Sequence, residues 1–125
     1  MYELDHRSIR FSNGKRYQFP GEIAEIIDCE EAIVVRLESN SLGPSENVFG
    51  LDYSGNFLWQ IPKASSFQAI HPYVSLSRKG GYVDVLNWDG HILTVNPKSG
   101  IALQENFYQG GPVSNRRAPS VRRWI

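Results

Sequence analysis

Three segments of the chain repeat one another: SIRFSNGKRYQFP at 8–20, FGLDYSGNFLWQIP at 49–62 and LTVNPKSGIALQENF at 93–107. Each has an extended stretch, a polar turn closed by glycine and a second extended stretch, and the turn glycines Gly14, Gly55 and Gly100 lie 41 and 45 residues apart. A repeat of this length constrains the fold more than any local propensity, because each unit must bury its apolar face against a neighbour. Glycine at the turns meets a backbone need, since a tight hairpin uses positive φ. After each glycine comes a large apolar residue and then glutamine: Tyr17-Gln18, Trp59-Gln60 and Leu103-Gln104.

The stretches between these hairpins read as further strands. Ala32–Leu37, Tyr73–Ser77 and Tyr82–Leu86 are rich in β-branched or aromatic residues. Asp89-Gly90 supplies a turn joining 82–86 to His91–Val95 as an antiparallel hairpin. Ile23–Ile27 suits either helical or strand spacing, and we read it as a strand. Eleven glycines and seven prolines interrupt the chain too often for long helices. The expected fold is therefore all-β, with hairpins closing at Asn13-Gly14, Ser54-Gly55, Asp89-Gly90 and Ser99-Gly100. Alternation assigns Trp59, Phe57 or Leu58, Val83, Val85, Leu93 and Val95 to the core.

Four strands in a period of 40 to 45 residues is the pattern of β-propeller blades. YVDVLNWDGHILTVNPKSGIALQ resembles the blade repeat of quinoprotein-type propellers, and NVFGLDYSGNFLWQIP is similar again, with Trp59 where that family has its blade tryptophan. Tyr17 and Leu103 depart from that pattern. The resemblance implies an incomplete array of about two and a half blades, at 8–20, 23–62 and 67–108, in a single β domain over 1–109 followed by a basic arm over 110–125. The other architecture open to the same strands is a compact sandwich or barrel. An incomplete propeller leaves an apolar face at each end, and such faces need cover.

Length and composition bound the rest. At 125 residues the chain forms one domain large enough for its own core. Thirteen basic and thirteen acidic residues give zero formal charge, which argues against a surface built wholly for nucleic acid or anionic membrane. No apolar run is long enough to span a bilayer, and MYELDHRS lacks the pattern of a signal peptide. The single Cys29 forms no internal disulfide, and a cytoplasmic location is the expectation.

Residues that carry chemistry are sparse. His6, His71 and His91 show no ligand spacing, so no metal is expected, although His71 and His91 fall in one blade. Cys29 lies in Asp28-Cys29-Glu30-Glu31, where carboxylates disfavour a thiolate. No glycine opens a helix as a phosphate loop does, and no serine sits in a nucleophile elbow. The quinone sites of the propeller family lie in the channel of a complete ring, so the resemblance implies no quinone here. We expect a protein that is not an enzyme and holds no cofactor.

Charge is better organised. Residues 22–46 carry Glu22, Glu25, Asp28, Glu30, Glu31, Glu38 and Glu46 against Arg36 alone, whereas 110–125 carry Arg116, Arg117, Arg122 and Arg123 and no acid. Acidic surfaces steer basic partners. The expected function is a protein-binding module acting through the seven acids, in its concrete form a small immunity or inhibitor protein. The alternative is a self-assembling module that completes a propeller by oligomerisation. A homodimer is the simplest cover for open ends, with either the first hairpin at 8–20 or the arm from Val113 to Ile125, with its Arg116, Arg117, Trp124 and Ile125, in the contact.

Overall fold

The computed structural model describes residues 2–38, 46–62 and 72–107. They form three antiparallel sheets, each a meander of consecutive strands. The first has β1 (Tyr2–Leu4), β2 (Ser8–Phe11) and β3 (Arg16–Gln18). The second has β4 (Ile23–Asp28), β5 (Ile33–Leu37), β6 (Val48–Leu51) and β7 (Phe57–Gln60). The third has β8 (Tyr73–Lys79), β9 (Tyr82–Asn87), β10 (His91–Val95) and β11 (Ala102–Phe107). All four expected turn glycines have positive φ, between 74° and 101°. The 23–27 stretch is a strand, as read. β1 was not foreseen, and it makes the first sheet three-stranded where two strands were expected. The expected arm over 110–125 lies outside the described residues.

Two cores show how the sheets stack. Ile9, Phe11 and Phe19 of the first sheet's segment pack on Ile33, Val35, Leu37, Phe49 and Leu51 of the second. The opposite face of the second sheet brings Val34, Val48, Trp59 and Ile61 against Tyr73, Leu76, Val83, Val85 and Val95 of the third. The second sheet is thus the middle layer, covered on both faces. That position explains the apolar run Ile33-Val34-Val35 of β5, because a strand buried on both sides has little face left for polar residues, and its one charged residue, Arg36, is paired with Glu25.

The second and third sheets share one plan down to their irregularities. Register shifts lie between Ile23 and Glu25 in β4 and at the matching place between Tyr73 and Ser75 in β8. Further shifts make Leu58 and Leu103 the extra residues of β7 and β11. The row Ile27–Val34–Gly50–Trp59 therefore corresponds to Ser77–Asp84–Thr94–Gln104. This corrects the sequence alignment at one position: Gln104, not Leu103, stands where Trp59 does. Counted from the turn glycines the structural match is regular, four residues from Gly55 to Trp59 and four from Gly100 to Gln104, and it is the shared apolar-glutamine pair that draws Leu103 onto Trp59.

Trp59 joins the middle and third sheets. Its indole lies over Gly50, its partner across the β6–β7 ladder, where a Cβ would sit 2.2 Å from Nε1. A Cβ on Gly100, in the third sheet's turn, would meet the same ring at 2.5 Å, and Nε1 donates to Pro97 C=O at 2.7 Å. The first and middle sheets meet in a parallel way, with Phe11 against Gly55 of the second turn. Asn13 Nδ2 also reaches Ser54 C=O and Lys15 Nζ reaches Asn56 Oδ1. Of the expected core residues, Trp59, Val83, Val85 and Val95 are buried and Leu93 packs against them, while Leu58 is half-buried and Phe57 is 48% exposed.

The end faces differ from the expectation of bare apolar ends. On the outward face of the third sheet the row beside Trp59's layer is Ser77, Asp84, Thr94 and Gln104, with Thr94 Oγ1 donating to Asp84 Oδ1 at 2.5 Å. Leu86 and Ile92 are the apolar residues of the adjoining row, and Leu86 is buried. On the outward face of the first sheet Glu3, Arg10 and Arg16 stand where Ile33, Leu51 and Phe57 stand in the second. Polar outer rows are how stacked repeats terminate.

The Trp59–Gly50 contact makes a sharp prediction for urea denaturation. Trp59→Ala should cost about 3–5 kcal/mol by removing a buried ring, and Gly50→Ala about 1–3 kcal/mol by forcing the ring aside. In the Trp59→Ala background Gly50→Ala should cost less than about 0.5 kcal/mol. Additive costs would show that the ring does not rest on Gly50.

Candidate functional site

A concentration of polar groups lies at the β4–β5 turn. β4 and β5 form a hairpin, so six of the seven acids of 22–46 divide between its two ends. Asp28, Glu30 and Glu31 fall at the closed end, and Glu22 and Glu38 at the open end, where Glu38 N–H donates to Glu22 C=O at 2.7 Å. Six strand residues separate the ends, roughly 20 Å. Glu46 precedes β6 near the open end, and its carbonyl accepts Gln60 Nε2 at 2.8 Å. The single acidic face expected from the sequence is thus two groups.

Glu25 belongs to neither, because its carboxylate is used inside the fold. Its Oε1 accepts Arg36 Nε at 2.7 Å and Leu76 N–H at 3.0 Å, with both charged side chains almost wholly covered. The pair ties the edge of β4 to the edge of β8 and satisfies a backbone donor that a strand edge leaves open. A partner-binding role for Glu25 is displaced by this internal one.

At the closed end a cleft of about 630 Å³ opens between the β4–β5 turn and the third sheet, lined by Asp28, Cys29, Glu30, Glu31, Arg78, Gly81 and the turn 96–98. Asp28 is held in place from three directions: Tyr2 and Tyr53 hydroxyls donate to its Oδ1 at 3.0 and 2.9 Å, and Arg78 Nη1 donates to its backbone carbonyl at 2.9 Å. Tyr53 also reaches Cys29 C=O at 2.9 Å. Lys98 Nζ meets Glu31 Oε1 at 2.8 Å on the exposed rim. Hydrogen bonding to Lys98 holds the Glu31 carboxyl below its ordinary value and raises that of Lys98. Glu30 is exposed beside them.

Burial pushes the Cys29 thiol up, Arg78 pulls it back in part and Asp28 pushes it up again. The direction is the one expected from the sequence, but burial rather than the carboxylates leads. A raised thiol is a poor nucleophile at neutral pH. Among the described residues no cluster of His, Cys, Asp and Glu is arranged to hold a metal ion. His91 Nδ1 lies 3.1 Å from Asp89 within its own turn, His6 is exposed, and His71 lies outside the described residues. Arg116, Arg117, Trp124 and Ile125 also lie outside them. Sequence reasoning missed Tyr2, Tyr53, Arg78 and Lys98, which come from four separate strands or turns and reach the cleft or its Asp28 only through sheet stacking.

The model of a family described as a domain of unknown function, DUF7957, matches residues 2–107, the whole of the three-sheet stack. The chain belongs to that family. No curated protein and no solved structure matches it. No helix among the described residues is long and apolar enough to cross a membrane.

The tyrosines around the stack give a pH prediction. Burial first, then the Asp28 hydrogen bond, pushes Tyr2 up to about 12, and burial first, then Asp89 and other carboxylates, pushes Tyr73 up to about 12. The unfolded chain loses these protons from about pH 10, the folded chain later, so stability present below pH 10 is lost as pH rises toward 12. Urea midpoints should fall across that window, and Tyr73→Phe should flatten the fall. A profile unchanged by that substitution would contradict the assignment.

Proposed function

We propose that this domain is a protein-binding module and that the cleft at the β4–β5 turn receives a basic group of its partner. The observation that carries the reading is the exposed Glu31–Lys98 pair beside Glu30 and the fixed Asp28 carboxylate. A surface ion pair is weak and readily exchanged, so an incoming arginine or lysine can replace Lys98 on Glu31 at little cost. Tyr2, Tyr53 and Arg78 hold Asp28 in position, which presents a preorganised rim rather than a flexible one. The cleft is open and polar, a shape suited to a protein side chain more than to an enclosed small molecule.

An inhibitor or immunity role is the finer form of this reading, supported by small size and the acidic rim. Completion of a propeller by further copies has less support, because the outward rows of the first and third sheets are polar. A homodimer through the 110–125 arm remains compatible with a binding role at the cleft.

Affinity capture from cells of the source organism, with chemical crosslinking, tests the reading through three forms of the full chain. The wild type and a control variant Glu3→Lys, altered on the first sheet's outer face, should recover the same protein. The double variant Glu30→Lys/Glu31→Lys should lose it, and recovery by the wild type should fall as salt screens the contact over a Debye length of about 8 Å. Equal recovery by all three forms would overturn the assignment of the cleft.

A further inference from the structure

The sequence holds one Asn-Gly pair, Asn13-Gly14, and it lies in the β2–β3 turn. At the same place the other two repeats carry Ser54-Gly55 and Ser99-Gly100. The difference is chemical, because an asparagine side chain has an electrophilic carbonyl that the next backbone nitrogen can attack and serine has none. Glycine as that next residue puts no side chain in the way. A Cβ on Gly14 would meet nothing within 4 Å, so glycine stands there for its φ of 91° and not for a close neighbour. Ser12, Asn13, Gly14 and Lys15 are all exposed, and solvent reaches the turn.

The folded turn holds both reacting groups. Gly14 N–H donates to Phe11 C=O at 2.9 Å, Asn13 Oδ1 accepts the Lys15 N–H at 2.9 Å, and Asn13 Nδ2 donates to Ser54 C=O of the second repeat's turn at 3.0 Å. The side-chain amide is therefore tied at both ends. Swinging its carbon onto the Gly14 nitrogen breaks the bond that joins the first sheet to the middle one. A second link between the same two turns, Lys15 Nζ to Asn56 Oδ1 at 2.6 Å, steadies the docking, with the aliphatic stem of Lys15 lying over Gly55.

We propose that Asn13 is a site of spontaneous deamidation, gated by the docking of the first turn on the second. When the turn opens, the Gly14 nitrogen gives up its proton and forms a bond to Asn13 Cγ, and the side-chain nitrogen leaves as ammonia, so that a cyclic imide closes. Solvent water then opens the imide at either carbonyl, to aspartate or to isoaspartate. One water is taken up and one ammonia released, with no oxidant or reductant. The product cannot remake the contact between the sheets, because a carboxylate only accepts hydrogen bonds and the donor to Ser54 C=O is gone. The reaction converts a bond between two sheets into a carboxylate set against a carbonyl oxygen. It uses different residues from the cleft at the β4–β5 turn, so either reading can fail alone.

Mass spectrometry of the full chain, incubated at neutral pH in buffer and in denaturing guanidinium chloride, tests it, with the mass gain of an amide becoming an acid located by fragmentation. Conversion at Asn13 should be at least about tenfold slower in buffer than in denaturant, because only the open turn reacts. Lys15→Met keeps the aliphatic stem and loses the bond to Asn56, so it should convert at least about threefold faster than the wild type in buffer and at the wild-type rate in denaturant. In Asn13→Asp, which carries the product from the start, the Phe11 amide should exchange with solvent at least about threefold faster than in the wild type, while the Val85 amide, in the third sheet, is unchanged. Equal conversion in buffer and denaturant would overturn the proposal. A Lys15→Met chain that converts in buffer no faster than the wild type would overturn it too, by showing that docking does not gate the reaction.

Discussion

The indole of Trp59 occupies the space that a side chain on Gly50 would fill, and its Nε1–H bonds to a carbonyl of the next sheet's turn. The rest of the architecture follows from that contact. Gly50 must be glycine because the ring lies on it, and Gly100 must be glycine both for its φ of 74° and because the same ring rests there. A large apolar surface is thereby buried with its single polar atom satisfied, which is the condition for placing tryptophan inside a fold. Between the first and middle sheets aromatic rings do similar work: Tyr17, Phe19, Phe49 and Phe57 form a continuous series with centroids 4.8 to 6.5 Å apart.

Because the middle sheet is apolar on both faces, it depends on both neighbours, while the outer sheets need only one. The residue pattern records this asymmetry. Positions occupied by Val34, Gly50 and Trp59 in the middle sheet are Asp84, Thr94 and Gln104 on the outward face of the third. The charged Glu3, Arg10 and Arg16 do the same for the first. Between the sheets the buried Glu25–Arg36 pair spans an edge that would otherwise hold an unpaired amide.

Much of this was legible in the sequence, and the physical reasons are specific. The turn glycines could be read because only glycine adopts their φ without strain, and the strands because β-branched runs between such turns have few other conformations. What stayed hidden was relational. The alignment of Leu103 with Trp59 missed by one residue because an apolar residue followed by glutamine occurs at both places, although Gln104 is the residue at Trp59's distance from its turn glycine. The acids of 22–46 seemed one surface because they are contiguous in sequence, yet a hairpin sends contiguous residues to opposite ends. Glu25 looked like its neighbours and is instead internal, since nothing local to it reveals Arg36 across the ladder and Leu76 on another sheet. The cleft was invisible for the same reason: Tyr2, Asp28, Tyr53, Arg78 and Lys98 meet only when three sheets stack.

The central claim is that the middle sheet, held on both faces, is the part of the molecule on which the other two rest. Native-state amide exchange over increasing denaturant tests it most directly, because it ranks segments by the free energy needed to open them. The account predicts that the slowest amides belong to β5 and β6, with Val34, Val35 and Phe49 opening only when the whole domain unfolds. Slowest exchange in β10 and β11 instead, with β5 opening earlier by local fluctuation, would contradict it.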